Sequence, residues 1–86
     1  MWQVYILKCA DETLYAGITT NLERRVFEHN NSPLGAKYTL GRRPVELVYA
    51  KKCKNRSEAS KEEHRIKKLS KEEKVKLVVS SKLSTF

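Results

Sequence analysis

Long apolar runs are missing from this sequence. The longest stretches are only a few residues, whereas a membrane-crossing helix needs about 20. No basic segment followed by an extended apolar core opens the chain, so it does not read as a signal peptide. A cytoplasmic location, with association with the nucleoid as a variant of it, is the expectation, and no membrane partner is expected. Cysteine is scarce as well. Cys9 and Cys53 are far apart and form no C-x-x-C pair, so they read as small core residues rather than as a disulfide. Together with His29 and His64 they match no zinc-ligand spacing.

Acidic residues are also in short supply. The chain has 10 Asp+Glu against 18 Lys+Arg, a formal net charge of +8. Such a surface gathers anionic partners and speeds encounter with them. Nucleic acid is the first candidate, ahead of a membrane surface and an acidic protein. With 86 residues there is room for one modest core. The reading is a single domain over 1–79 and a frayed tail over 80–86, and a monomer is expected because no obvious apolar stripe is left over.

What is present is a compact order of elements. Residues 2–9 are β-branched, aromatic and apolar, as in a strand buried on both faces. Asp11, Glu12 and Thr13 supply turn chemistry, and 13–18 form the second strand of a hairpin. Gly17 inside that strand marks a bulge or a close approach. Thr20 and Glu23 have the spacing of a capping box, which predicts a helix with Leu22, Val26 and Phe27 on its apolar side and Asn30 and Asn31 at its end. A loop over 31–44 carries Pro33, Gly35, Gly41 and Pro44. Residues 45–52 read as a third strand. Ser57 caps a helix running to about Lys68, and Ser70 with Glu73 opens a last helix to about Val79, whose Val75, Val78 and Val79 face the sheet. The fold class is α/β of the α+β type: a small, mainly antiparallel three-stranded sheet flanked by helices, in the order β-β-α-β-α-α.

Several residues carry candidate chemistry. Tyr5 and Tyr15 share a sheet face if the hairpin pairs odd positions with odd, although a strand tyrosine is ordinarily packing. Arg25 and His29 lie four apart on one helix face. Arginine suits two-point phosphate contact, and histidine suits proton movement near neutral pH. Arg24 reads as solvated charge. Glu63 falls on the apolar stripe with Ala59 and Ile66, while Glu62 lies on the outward side. A carboxylate directed at a core must be paired or bound to a cation. A salt bridge to Arg25 and a divalent metal site on Glu63 are the two alternatives. Lys8, Lys37, Arg42, Arg43 and Lys67 are the candidate nucleic-acid contacts.

In order and spacing these residues resemble the GIY-YIG nuclease superfamily, and within it the small stand-alone bacterial proteins of the UPF0213 group. Gln3-Val4-Tyr5 stands for Gly-Ile-Tyr, and Tyr15-Ala16-Gly17 for Tyr-Ile-Gly. Asn21-Leu22 with Arg25 and His29 matches the first-helix pattern. Ser57-Glu58-Ala59 with Glu63 and Ile66-Lys67-Lys68 matches the helix that carries the metal-binding glutamate. Gly35-Ala36-Lys37-Tyr38-Thr39 and Arg42-Arg43-Pro44-Val45 are typical of the stand-alone group. The first motif departs from the pattern at Gln3 and the second at Ala16.

The resemblance implies a metal-dependent endonuclease acting on DNA, with a branched or single-stranded form as the candidate substrate and RNA as the alternative nucleic-acid partner. One Mg²⁺ or Mn²⁺ would sit on Glu63. Arg25 would offset charge on the phosphate. Tyr5 would help deprotonate the attacking water, with Tyr15 and His29 positioning the water or relaying the proton. A tyrosine base needs cations nearby to lower its pKa, and Lys8, Arg25 and the metal are the candidates. The alternatives are a nucleic-acid-binding module with little turnover and an adaptor for an acidic protein. A separate protein partner for targeting is compatible with each.

Overall fold

A computed structural model describes residues 1–32 and 37–84, with side chains through Ser80. Three strands form the sheet: β1 (Trp2–Lys8), β2 (Leu14–Thr19) and β3 (Glu46–Cys53). β1 lies in the middle and pairs antiparallel with both neighbours, giving the order β2-β1-β3. Val4, Tyr5, Ile6 and Leu7 are all buried, which is why the sequence of the central strand runs apolar without alternation. The β1–β3 register slips between Ile6 and Leu7: Ile6 faces Tyr49 and Leu7 faces Leu47. Val48 is therefore the extra residue of a bulge.

Helices cover both faces of the sheet. On one face Val4, Ile6, Ala16 and Cys53 pack with Ala59 and Ile66 of α3 (Arg56–Lys67), and Leu77 and Val78 of α4 (Lys71–Ser84) close over them. On the other face Tyr5, Leu7, Cys9 and Val45 pack with Leu22 and Val26 of α1 (Leu22–Asn31). Cys9 and Cys53 are both buried and free, one in each core layer, as expected of core cysteines. No helix among the described residues is long and apolar enough to cross a membrane.

The helix starts differ from the sequence reading in instructive ways. α1 is capped by Asn21 rather than Thr20: the Asn21 side chain accepts from the Arg24 N–H at 3.1 Å. The Thr19 hydroxyl accepts from the Asn21 N–H, and this local turn moves the helix start one residue on. α3 is capped by Asn55 rather than Ser57, with the Asn55 side chain accepting from the Glu58 N–H at 2.9 Å. Ser70 and Glu73 do form the expected reciprocal capping box at the start of α4. α4 then continues to Ser84, beyond the expected end at Val79 and into the segment read as a frayed tail. Val75 and Val79 stay exposed, and the inward positions are Leu77 and Val78. Phe27, expected on the apolar side of α1, is 63% exposed. α1 ends at Asn31 as expected, and its penultimate residue, Asn30, also holds the neighbouring segment. Its side chain clamps the Val45 backbone, accepting from the N–H at 2.7 Å and donating to the carbonyl at 3.0 Å.

The segment read as a loop over 31–44 holds a short helix, α2 (Lys37–Leu40). Pro33, Gly35 and Ala36, quoted from this loop above, lie outside the described residues. α2 is fastened to the β1–β2 turn through Arg42. Its guanidinium donates to the Tyr38 carbonyl at 2.8 Å and pairs with Asp11 at 3.0 Å. Its backbone bonds Thr39 on one side and Ala10 on the other.

Candidate active site

The hairpin register pairs Tyr5 with Gly17 and Leu7 with Tyr15. Odd positions therefore meet odd positions, and both tyrosines lie on the α1 face. The Tyr5 ring crosses over Gly17. A β-carbon added to Gly17 would meet the Tyr5 hydroxyl at 2.5 Å and Cζ at 2.7 Å, closer than real β-carbons approach other atoms. Gly17 thus serves a close approach and not a bulge, and the β1–β2 pairing runs without a break from Gln3 to Lys8.

α1 brings Arg25 and His29 to the Tyr5 hydroxyl. His29 is fully buried and its Nε2 lies 2.8 Å from that hydroxyl. Its Nδ1 lies 2.9 Å from the Thr39 hydroxyl of α2. Burial and the adjacent Arg25 charge push the imidazole down to about 4, so His29 is neutral at physiological pH. Arg25 pairs with Glu28 at 3.0 Å. Burial works against its charge, but Glu28 and Tyr5 outweigh that effect and hold the guanidinium above its usual value.

Burial dominates at Tyr5 and lifts the phenol to about 12, while the Arg25 guanidinium, a hydrogen-bond donor to it, pulls the other way. The expectation of a tyrosine acidified by neighbouring cations is therefore corrected for the protein alone: desolvation wins. Lys8 gives no help. It occupies an even position of β1 opposite Leu14, on the α3–α4 side of the sheet, where it pairs with Glu12 at 3.1 Å.

Glu63 arrives from the opposite layer. α3 packs beneath the sheet, and Glu63 lies near enough to Tyr5 for its charge to oppose ionisation of the phenol. Its carboxylate pairs with Lys67 at 3.4 Å, and the Lys67 ammonium sits 5.9 Å from the centre of the Tyr15 ring. The alternative of a Glu63–Arg25 salt bridge is not what forms: each has a different partner. Glu62 is not the more outward of the two carboxylates. Its side chain is 17% exposed against 23% for Glu63, and it is held by Arg65 and Lys51, hydrogen bonding to Arg65 keeping its carboxyl below the usual range.

Glu63 offers one hard oxygen donor, and no cluster of three or more His, Cys, Asp or Glu that could hold a metal occurs among the described residues. This fits an ion that keeps several waters and takes its other ligands from a substrate phosphate, as Mg²⁺ does. It does not fit a protein-caged ion.

The expected nucleic-acid contacts divide. Lys67 lies at the site, and Lys37 is exposed on α2. Arg42 covers the Tyr38 ring at 4.0 Å, and Tyr38 stacks on Tyr15 with centroids 5.6 Å apart. Arg43 has a different task. It donates to the carbonyls of Glu28, His29 and Ser32, closing the C-terminus of α1, where orphan carbonyls need donors. Sequence reasoning gave no role to Thr39, Tyr38 or Glu28, and read Asp11 only as a turn residue, not as the partner of Arg42. Tyr38 and Thr39 stood within a recognised motif, but only the fold shows that they touch Tyr15 and His29.

Residues 1–76 match the family model described as the GIY-YIG catalytic domain. The chain is 60% identical over 80 residues to the UPF0213 protein DP2720 of Desulfotalea psychrophila, covering 93% of this chain and 73% of that one. It is 52% identical over 80 residues to the UPF0213 protein CPE1444 of Clostridium perfringens, covering 93% and 85%. Among solved structures, the solution NMR structure of protein EF2693 from E. faecalis has a TM-score of 0.63 at 43% identity, covering 94% of this chain and 85% of that one. That of the UPF0213 protein BH0048 from Bacillus halodurans has a TM-score of 0.58 at 42% identity, covering 92% and 84%. Tyr5, Tyr15, Arg25 and Glu63 thus stand in a domain of known type: the chain belongs to the GIY-YIG nuclease family and, within it, to the UPF0213 group.

Proposed function

We propose that this protein is a metal-dependent endonuclease that hydrolyses phosphodiester bonds in DNA, with branched or single-stranded forms as preferred substrates. The observation that carries the reading is the Tyr5 hydroxyl, held by His29 at 2.8 Å, with Arg25 and Glu63 both close enough for their charges to act on its ionisation. Glu63 would hold a single Mg²⁺ or Mn²⁺, which when bound supplies Lewis-acid stabilisation of the scissile phosphate and the departing oxygen. Lys67 exchanges Glu63 for a phosphate as substrate arrives. Arg25, fixed by Glu28, offsets charge that grows on the phosphate. Tyr5 takes a proton from the attacking water while passing its own toward His29 Nε2. That route avoids a free phenolate, which a hydroxyl held near 12 scarcely forms at neutral pH. Tyr15, stacked on Tyr38, fixes the side of the site where the water enters.

The net charge of +8 supports a polyanionic substrate. A second reading, a binding module with little turnover, draws on the Glu63–Lys67 pair, which would then be a permanent salt bridge. Glu63→Gln separates the two. An enzyme loses cleavage in this variant and keeps its DNA affinity. A binding module shows the same affinity and the same steep salt dependence with either residue, and no cleavage with both.

A further inference from the structure

We propose that Thr39 is a positioning residue: its hydroxyl holds the His29 imidazole in the tautomer with the proton on Nδ1, which leaves Nε2 as an acceptor for the Tyr5 hydroxyl. The inference deepens the nuclease reading and rests on it for its catalytic consequence, though not for the tautomer itself.

The hydrogen positions follow from the neighbours. A guanidinium can only donate, and the Arg25 guanidinium lies close enough to Tyr5 to pull its oxygen toward the ionised form. The Tyr5 hydrogen then has to point elsewhere, and His29 Nε2 stands 2.8 Å away. The opposite arrangement, with Nε2–H donating to Tyr5, would turn the Tyr5 hydrogen toward the Arg25 donors. A neutral imidazole that accepts at Nε2 carries its proton on Nδ1, and Nδ1 faces the Thr39 oxygen at 2.9 Å. Both His29 and Thr39 are fully buried, so water does not compete for these bonds. Burial also keeps the ring neutral, so a tautomer preference has meaning at working pH.

The chemical consequence lies at Tyr5. With Nε2 as acceptor, the phenol hydrogen is directed inward and a lone pair on its oxygen remains for an incoming water. With the other tautomer, the phenol would present its hydrogen outward and could not accept a proton. The position of Thr39 is in turn set by Arg42, which ties α2 to Asp11 and to Ala10 of the hairpin turn. The hairpin turn that anchors α2 thereby helps decide which way one hydrogen points.

The test is a two-bond ¹H–¹⁵N correlation of the histidine side chains near neutral pH, for the wild type, Thr39→Ser and Thr39→Val. The wild type and the serine variant are expected to show protonated Nδ1 and unprotonated Nε2 at His29. The valine variant is expected to show a mixture or the reverse. DNA cleavage is expected to fall roughly 10–100-fold in the valine variant, as for other residues that orient a site from behind, and to return with serine. Thr39→Ala replaces the valine variant should that one not fold. Protonated Nε2 in the wild type, or an unchanged tautomer in the valine and alanine variants, would overturn the proposal. Absence of cleavage by the wild type would count against the nuclease reading alone, because the spectra decide the tautomer without it.

Discussion

Tyr5 and Gly17 face each other across the β1–β2 hairpin, and the tyrosine ring occupies the space where a side chain on the glycine would stand. The ring cannot move aside cheaply. It is almost fully buried, and its hydroxyl is bonded to His29. Gly17→Ala is therefore expected to lower stability by about 1–3 kcal/mol, the usual range for overpacking, and to displace the hydroxyl from His29. Denaturant titration measures the first effect. The His29 side-chain spectrum reports the second.

Removing only the hydroxyl separates chemistry from packing. Tyr5→Phe keeps the ring over Gly17 and loses the bond to His29. Cleavage is expected to fall about 10²–10⁴-fold, the range for loss of a general base, with DNA affinity unchanged. Retention of full cleavage in this variant would remove Tyr5 from the reaction.

His29 gives the fold a pH dependence of known sign. The folded protein holds its imidazole near 4, below the ordinary 6.5, so between these values the unfolded chain binds more protons and stability falls as pH falls. The contribution is fully present above pH 6.5 and is lost progressively down to about pH 4. It amounts to about 3 kcal/mol at most. His29→Gln should flatten this part of the stability profile, as measured by urea midpoints across the window.

Arg43 and Lys37 carry opposite expectations. Arg43→Ala removes a charged donor from two α1 carbonyls and that of the capping residue Ser32 and should cost about 1–3 kcal/mol of stability, with little effect on DNA affinity per folded molecule. Lys37→Ala touches an exposed cation and should leave stability alone, weaken DNA binding, and reduce the salt slope by about 1. Binding isotherms at several salt concentrations, next to thermal melts, distinguish the two.

The strands and the order of elements were legible because the central strand is apolar on both sides and the turn chemistry is local. The shared face of Tyr5 and Tyr15 followed from a period of 2 together with a register that pairs odd positions with odd, which the structure supplied. The helix starts at Asn21 and Asn55 were misplaced by one and two residues because Thr20 and Ser57 have equal capping chemistry. The choice depended on which side chain the preceding turn left free. α2 could not be read because four residues make too short a period, and its position rests on Arg42 reaching Asp11, 31 residues away. The partners of Glu63 and Arg25 were also out of reach. Spacing places a carboxylate on a stripe, but whether a distant arginine or a lysine one turn on takes it depends on how α3 meets the sheet edge. The inward shift of burial over cation at Tyr5 likewise depends on packing that no local pattern encodes.

The central claim is that Glu63 and Arg25 do phosphodiester chemistry beside Tyr5. The most direct measurement is cleavage of supercoiled, single-stranded and branched DNA by the wild type, Glu63→Gln and Arg25→Ala, with Mg²⁺, Mn²⁺ or EDTA, and with binding followed in parallel. The account predicts cleavage that requires the metal, disappears with Glu63→Gln, and falls about 10²–10³-fold with Arg25→Ala, while the variants still bind. No cleavage of any substrate by the wild type, with binding equal in all three proteins, would contradict it and leave Glu63 as the salt-bridge partner of Lys67.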